Sequence, residues 1–180
     1  MLTYTKRFLS PKEIVDQLDI KSGSRVADFG SGAGDFSIAI AKEIGISGKV
    51  YSIDVQESAH QSLRSKYKIN SLTNIEIVLA DLEKDSGSCL PDQSVDMVLM
   101  HNVLFQVSNK KHLIQEAFRI LNELGKLFII AWDINSPVGP PKSMRLPDRE
   151  IVSLVQNNGF ELDKKINVGK YKYGYLFNKV

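Results

Sequence analysis

Short apolar runs alternate with helical patterns along most of this chain, and this alternation limits the folds that the chain can adopt. Strands one to five are predicted at 25–29, 49–54, 74–79, 95–101 and 126–132. Helical patterns at 35–44, 57–68 and 110–121 follow strands one, two and four. Such a sequence predicts an α/β fold with an open, doubly wound sheet, whose ligands bind at the carboxyl ends of its strands.

Both ends of the chain add further elements to this sheet. Ser10, Pro11 and Glu13 form an N-cap pattern that predicts a leading helix from 11 to about 18. After the proline-rich loop 135–148, a helix at 149–157 precedes strands at 160–168 and 171–178. Only Gly169 and Lys170 separate those two strands, so they must be antiparallel. The sheet is therefore expected to close with an antiparallel hairpin.

The size and composition of the chain exclude several classes of protein. A length of 180 residues predicts one domain, and a net charge of +2 is too balanced to indicate binding to nucleic acid or to a membrane. No apolar run approaches the roughly 20 residues that a membrane span requires. The single cysteine, Cys89, has no partner for an internal disulfide, and the N-terminus lacks the apolar core of a secretory signal. We expect a soluble, cytoplasmic protein.

The stretch VADFGSGAGDF, residues 26–36, leads from strand one into a helix through Gly30, Gly32 and Gly34. Glycines let a ligand approach the backbone closely, and the N–H groups of the following helix point toward that ligand. A dinucleotide fingerprint would be GxGxxG, whereas this sequence has GxGxG followed by Asp35. A carboxylate there would repel a diphosphate, so the ligand is not expected to be a dinucleotide. A tight turn without any ligand is the structural alternative.

Three acidic residues accompany the glycines on adjacent predicted strands. Asp54 ends strand two, where a carboxylate can accept both hydroxyls of a ribose. Asp81 follows strand three and could accept the amino group of a purine, while Asp28 within strand one could hold an ammonium group. Helix capping by Asp54 and a solvated turn at Asp81 are alternatives. Together the acids suit a ligand with an amine, a ribose and an adenine but no phosphate.

The ordered motifs VADFGSGAG, VYSIDV, LADLEK, DQSVDMVLMHNVLFQV and LNELGKLFIIAW resemble the class I S-adenosylmethionine-dependent methyltransferases. They look closest to the small group related to the ubiquinone and menaquinone C-methyltransferases. The resemblance implies a single methyltransferase domain over 1–180, with a Rossmann-like sheet of seven strands in the order 3-2-1-4-5-7-6 and an antiparallel last strand. It also implies a lid segment at 1–20, a substrate-side loop at 133–148, S-adenosylmethionine as cofactor and S-adenosylhomocysteine as product.

The same resemblance implies a role for each motif residue in holding the cofactor. The methionyl part would lie against Gly30, Ser31, Gly32 and Gly34, with Asp28 near its amino group and the backbone of His101 and Asn102 beside it. The adenosine part would lie against Asp54 at the ribose, Val55 on the adenine ring, and Asp81 with the Leu82 backbone at the adenine amino group. No metal site is expected, and His60 and His112 are expected at the surface.

Methyl transfer from a sulfonium needs alignment of the reacting atoms more than it needs a dedicated base. The candidate catalytic residues are therefore few, namely His101, Tyr4 and Arg7. A lid could come from Phe8, from Phe105 after strand four, or from Trp132, Asp133, Asn135 and Arg145 after strand five. The expected reaction is in-line displacement at the methyl carbon, with a small molecule as the acceptor. A homodimer could complete a shallow acceptor site.

Three other functions remain open at the level of the sequence. A non-catalytic S-adenosylmethionine-binding or scaffold module would keep the same fold, and an NAD(P)-dependent oxidoreductase would share the ribose-binding acid. The alternating aromatic residues Tyr171, Tyr173, Tyr175 and Phe177, with lysines between them, could stack on RNA bases. A half-buried final strand would produce the same alternation, and nucleic acid is not the expected partner.

Overall fold

The computed structural model describes residues 8–180, in which seven strands form one sheet. The strands are β1 (Arg25–Phe29), β2 (Lys49–Asp54), β3 (Ile75–Leu79), β4 (Val95–His101), β5 (Leu121–Trp132), β6 (Phe160–Lys165) and β7 (Lys172–Lys179). The helices are α1 (Pro11–Val15), α2 (Asp35–Ile44), α3 (Glu57–Ile69), α4 (Lys110–Ile120) and α5 (Asp148–Gln156), with a 3₁₀ turn at Lys142–Met144. The sheet order is β3-β2-β1-β4-β5-β7-β6, and β7 is antiparallel to both of its neighbours. The predicted α/β class, strand order and antiparallel last strand are confirmed.

Helices cover both faces of the sheet, so its inner strands are apolar on both sides. Val26 in β1 packs with side chains of α1 and α2, whereas its neighbour Ala27 packs with side chains of α4 and α5. In β4 the same alternation places Leu99 on the α2 face and Val98 on the α4 face. Strands β1 to β5 run parallel to one another, so they all end at the same edge of the sheet, where the glycine turn and the acids lie.

The leading helix begins where the sequence predicts and ends earlier. Ser10 and Glu13 form the expected capping box, in which each side chain accepts the backbone N–H of the other. Regular helix stops at Val15 rather than near residue 18, because the N–H groups of Gln17 and Leu18 bond to carbonyls three residues back. Leu18 is nevertheless buried in the core.

The last two strands are joined by a longer connection than predicted. β6 ends at Lys165 and β7 begins at Lys172, so residues 166–171 leave the sheet. Gln17 holds this connection, because its side-chain amide donates to the Asn167 carbonyl at 2.9 Å and its Oε1 accepts the Asn167 N–H at 3.2 Å. Ile166 and Val168 are buried against the α1 and α2 face, which explains why the chain turns away from the sheet.

No helix connects β3 to β4, as the sequence indicates, and a buried carboxylate organises this connection instead. Glu116 of α4 is 4% exposed and accepts both the backbone N–H and the hydroxyl of Ser88, at 3.0 and 2.5 Å. Arg119 bonds to Glu116 and to the Leu90 carbonyl. These hydrogen bonds replace the backbone bonds that a crossover helix would have made.

His60 is buried, which corrects the expectation that it lies at the surface. It shares one face of α3 with Leu63, and this face is turned toward the sheet. His112 is partly exposed, with Nε2 2.9 Å from the Lys84 carbonyl. In the described part of the chain, no helix is both long and apolar enough to cross a membrane.

Candidate active site

The turn after β1 takes backbone angles that suit glycine. Gly30, Gly32 and Gly34 have φ values of +69°, +52° and +78°. The N–H groups of Gly30 and Ser31 both donate to the Ile53 carbonyl of β2, at 2.9 and 3.0 Å. The turn is therefore fixed to the end of the neighbouring strand.

The three glycines differ in what surrounds them. A Cβ atom at Gly30 would lie 2.9 Å from Cγ2 of Val103, and one at Gly34 would collide with Leu63. A Cβ atom at Gly32 would meet nothing within 4 Å. Packing therefore explains two of the glycines, whereas Gly32 presents bare backbone to open space, as a backbone that binds a ligand closely must do.

Asp54, at the end of β2, is bonded to the turn through both of its oxygens. Oδ2 accepts the Gly32 N–H at 2.8 Å, and Oδ1 accepts the N–H of Gln56 at 2.9 Å, immediately before α3. This bond closes a turn before α3, whose N-cap is Gln56, so Asp54 does not cap the helix and the capping alternative is not realised. A carboxylate has about four lone-pair sites, so two remain for a ligand such as a diol.

A cavity of about 360 Å³, here called the acidic cavity, opens on one side of the turn. Its walls include Asp54, Val55, Asp81 and Leu82, which come from the ends of β2 and β3. Val55 is 62% exposed and presents an apolar surface to the cavity, on which a flat ligand ring can pack. Asp81 also accepts the Glu83 N–H at 3.1 Å, so the predicted solvated turn exists beside the cavity.

A second cavity of about 350 Å³, here called the apolar cavity, opens on the other side of the same turn. The two cavities share Gly30 and Gly32. Apolar side chains line much of this cavity, whereas Ser31 and Asp35 border it beside the turn. The apolar side chains are those of Phe8, Leu9, Pro11, Ile14, Phe36, Ile130 and Val168. His101 and Lys172 are the polar side chains of its far wall.

His101 lies at the carboxyl end of β4 with its ring 4.6 Å from that of Phe36. Its Nε2 is 2.9 Å from both Nδ2 of Asn102 and Nζ of Lys172, so Nε2 is the acceptor and the proton is assigned to Nδ1. Burial, and then the positive charge of Lys172, lower the pKa of His101 to about 3. The imidazole is therefore neutral at physiological pH, and it lacks the near-neutral pKa expected of a general base.

Asp28 is buried under the turn and lines neither cavity. Its Oδ2 accepts the Ser37 hydroxyl at 2.5 Å, while Oδ1 has no partner among residues 8–180. Burial raises the pKa of Asp28 to about 7. Ser31 Oγ is likewise buried without a partner in that range. Ser31 lines the apolar cavity, and a buried oxygen without a partner at that place fits a ligand that brings a hydrogen-bond donor.

The remaining candidates fall in several places. Asn102 has φ +58°, donates its N–H to the Ile130 carbonyl at 2.9 Å, and borders a small cleft with Phe105 and Trp132.

Arg145 binds its own loop, because its guanidinium donates to the carbonyls of Asp133, Ser136, Val138 and Pro140. Tyr4 and Arg7 lie outside the described residues. Within residues 8–180, no cluster of three or more metal-ligating side chains exists.

Several wall residues of the apolar cavity were not among the predicted site residues, and Lys172 is the most informative of them. Parallel strands bring their last residues to the ligand edge, but an antiparallel strand brings its first residues there. Lys172 begins β7, so it reaches the same edge as His101. The antiparallel hairpin predicted from the sequence contained this signal.

Comparison with known proteins identifies the class to which a protein with this fold and these two cavities belongs. Residues 20–177 match the model of a methyltransferase domain family, and the chain belongs to that family. It is a class I S-adenosylmethionine-dependent methyltransferase by fold, and the cofactor of that class is S-adenosylmethionine. The open backbone at Gly32 and the unpartnered oxygens of Asp28 and Ser31 fit a ligand that carries an ammonium group.

Individual relatives include two ubiquinone/menaquinone biosynthesis C-methyltransferases named UbiE. The protein of Cronobacter sakazakii is 28% identical over 128 residues, which cover 71% of this chain and 49% of the relative. The protein of Pasteurella multocida is 27% identical over 130 residues, which cover 72% of this chain and 47% of the relative. The chain therefore spans about half the length of the curated relatives that it matches.

Solved structures match over nearly the whole chain. A SAM-dependent methyltransferase from Aquifex aeolicus superposes with a TM-score of 0.87 and 28% identity, covering 97% of this chain and 92% of the other. The [4+2]-cyclase SpnF has a TM-score of 0.78 with 14% identity and covers 94% of this chain and 79% of the other. At that identity the likeness concerns the fold alone.

Proposed function

We propose that this chain transfers a methyl group from S-adenosylmethionine to a small-molecule acceptor by in-line displacement at the methyl carbon. The observation that supports this proposal most directly is the pair of cavities that meet at Gly30 and Gly32. The acidic cavity suits the adenosine part of the donor, whereas the apolar cavity suits the methionyl part along the turn and an acceptor toward its far wall. The glycine turn between them is then the place where the reacting atoms meet.

In this proposal the residues divide by the part of the donor that they hold. Asp54 accepts the ribose hydroxyls, while Val55, Asp81 and Leu82 surround the adenine. The methionyl part lies against the turn residues Gly30, Ser31, Gly32 and Gly34, with His101 and Asn102 beside it. The unpartnered Oδ1 of Asp28 supports a role for this carboxylate toward the ammonium group, directly or through water.

The chain contributes positioning and exclusion of water. S-adenosylmethionine, when bound, supplies an electrophilic methyl group on a sulfonium. Alignment of an acceptor atom with that methyl group can supply up to about 7 to 11 kcal/mol of the barrier. Phe8, Phe36 and Ile130 give the apolar cavity water-excluding walls. The proton that a carbon or hydroxyl acceptor loses can pass to water, so such a step needs no dedicated base, which agrees with the low pKa of His101.

A small acceptor is supported by the dimensions of the apolar cavity and by the relatives. About 350 Å³ is within the range that small-molecule sites occupy. The relatives from Cronobacter sakazakii and Pasteurella multocida are named for C-methylation in quinone biosynthesis. Hydroquinones are therefore the first acceptors to test on this chain.

The test combines ligand binding with turnover. Calorimetric titration should give binding of S-adenosylhomocysteine and none of NAD, and tight binding of NAD alone would refute the proposal. Incubation with methyl-labelled S-adenosylmethionine and a panel of hydroquinones, phenols, amines and thiols should label at least one acceptor. A donor with an isotopically chiral methyl group should give inverted product. Binding of S-adenosylhomocysteine without turnover on any acceptor would favour a binding or scaffold module instead.

A further inference from the structure

Lys172 occupies an unusual position for a lysine. As the first residue of β7 it pairs with Trp132 of β5, and its Nζ lies 4.8 Å from the centroid of the Trp132 ring. The side chain then reaches back across β5 to Nε2 of His101, 2.9 Å away at the end of β4. The amine is thereby held at the far wall of the apolar cavity.

The charge of this amine has no counter-ion in the described chain. Among residues 8–180, no carboxylate lies within ion-pair distance of Lys172, and its polar contact is the neutral imidazole of His101. Burial lowers the pKa of Lys172 to about 8, so much of the population is still protonated near neutral pH. Asp35 also lines this cavity, but its carboxylate is paired with Lys66 of α3. A largely buried cation without a partner is costly, and a ligand anion would offset that cost.

We propose that Lys172, oriented by His101, binds an anionic oxygen of the methyl acceptor, so that this enzyme selects apolar acceptors that carry one negative charge. This inference rests on the proposed function, since it names the class of acceptor. The ammonium group has three donors, of which one bonds to His101 and one faces the Trp132 ring. The remaining donor is available to a carboxylate or a phenolate in the cavity.

The position of Lys172 favours the acceptor over the donor as the source of that oxygen. The glycine turn that would hold the amino-acid end of the donor follows β1, whereas Lys172 begins β7. The Lys172 amine reaches the end of β4, but it faces the Trp132 ring of β5, and Trp132 borders a small cleft with Phe105 that no residue of the turn lines. The amine therefore lies between the glycine turn and that cleft, on the side of the cavity left for the acceptor.

The test uses charged probes and neutral isosteres, so it does not depend on turnover. With S-adenosylhomocysteine at saturation, calorimetry compares 2-naphthoate with 2-naphthamide, and 4-nitrophenolate with 4-nitroanisole. We expect the wild-type chain to bind at least one anion about tenfold or more tightly than its neutral partner, as a hydrogen bond to a charged group implies. The pair with the larger ratio identifies carboxylate or phenolate as the source of the oxygen.

Lys172→Met should abolish that preference, leaving the affinities for the neutral probes and for S-adenosylhomocysteine within about twofold. Lys170→Met is the matched control, because Lys170 is exposed and lines neither cavity, and it should change nothing. His101→Phe removes the acceptor that orients the amine and should give a smaller loss of anion affinity. Thermal melting of each variant verifies its fold.

Two results would overturn the inference. One is a wild-type chain that binds each anion no more tightly than its neutral isostere. Weak or absent binding of all four probes counts as the same result, because no preference for an anion is then measured. The other is a Lys172→Met variant that loses S-adenosylhomocysteine affinity about tenfold while keeping its anion preference, which would assign Lys172 to the donor carboxylate. Failure of the proposed function is distinguishable from both, since the wild-type chain would then either not bind S-adenosylhomocysteine or bind it and methylate no acceptor.

Discussion

The backbone N–H of Gly32 donates to Oδ2 of Asp54 at 2.8 Å, which ties the glycine turn after β1 to the acid at the end of β2. Gln56 donates to the other oxygen at 2.9 Å, so the carboxylate is oriented from both sides. Such a carboxylate needs little reorganisation to accept a diol, and preorganisation of this kind increases affinity. Asp54 thus has a structural role and a proposed ligand role that can be separated by substitution.

Asp54→Ala should weaken S-adenosylhomocysteine binding at least about tenfold, because hydrogen bonds from the ribose to a charged group would be lost. The chain should remain folded, with a stability loss of about 1 to 2 kcal/mol from the two backbone N–H groups left without their acceptor. Calorimetry measures the affinity and urea denaturation the stability. Asp85→Ala, at a fully exposed side chain, is the control. Unchanged affinity in Asp54→Ala would show that the ribose assignment is wrong.

Gly32→Ala and Gly34→Ala should differ in what they lose, since the first should mainly lose ligand affinity and the second mainly stability. Both positions have positive φ, so each alanine costs about 1 to 2 kcal/mol of backbone strain. Gly34→Ala also forces a Cβ atom into Leu63 and should be clearly less stable, whereas Gly32→Ala meets no protein atom. The methyl group at position 32 should instead block the ligand, with about tenfold or greater loss of S-adenosylhomocysteine affinity. A Gly32→Ala chain that binds normally would refute close contact at this turn.

Asp28 should make the stability of the chain pH-dependent. Its pKa is raised in the folded state to about 7, so the folded state retains the proton over a range in which the unfolded state loses it. This contribution to stability is complete below about pH 4 and is lost as the pH rises to about 7. Asp28→Asn should therefore be more stable than the wild type at pH 8, by about 2 to 4 kcal/mol. Denaturation of both proteins from pH 4 to 8 measures the difference, and parallel curves would contradict this assignment.

The same residue should link donor binding to pH. An ammonium group near Asp28 favours the ionised carboxylate, so S-adenosylhomocysteine affinity should fall as the pH drops below about 7. Asp28→Asn should remove this dependence while lowering affinity at pH 8. Calorimetric titration at several pH values provides the measurement. An identical pH profile in both proteins would separate Asp28 from the donor ammonium.

Arg145→Met should loosen one loop without unfolding the domain. The guanidinium of Arg145 donates to carbonyls at Ser136, Val138 and Pro140, at 2.6, 3.1 and 2.8 Å, and thereby closes the loop over itself. Without these bonds we expect faster hydrogen exchange and faster proteolysis within 133–148. Global stability should change by less than about 1 kcal/mol, because the loop contributes little to the core. Arg149→Met, on an exposed part of α5, serves as the control. Unaltered exchange in the loop would contradict this role for Arg145.

Elements with a strong local signal are those that the sequence predicts accurately. β1, β4 and α2 have the predicted bounds, because each has an unbroken apolar run or a clear glycine boundary. β5 begins at Leu121 rather than at residue 126, directly after α4, because Leu121 already pairs with Val95 of β4 before a register shift, and pairing resumes at Lys126. The connection 166–171 leaves the sheet because Gln17, distant in sequence, holds Asn167. Contacts of this kind have no local signature.

The candidate site was predictable where it follows parallel strands. Asp54, Val55, Asp81 and Leu82 are brought together at one cavity, and the glycines border two cavities. The burial of His60 and the low pKa of His101 depend on packing across several elements, which spacing along the chain does not encode. Arg145 was expected in a lid, but its guanidinium is bonded within its own loop.

Because β7 lies between β5 and β6 in the sheet, the order of synthesis and the order of strands in space are different. On the ribosome, β5 remains an open apolar edge and β6 has no neighbour until β7 emerges and inserts between them. The same insertion brings Lys172 against His101 and completes the far wall of the apolar cavity. A nascent chain that lacks β7 therefore contains the glycine turn and Asp54 but lacks the far wall of the apolar cavity.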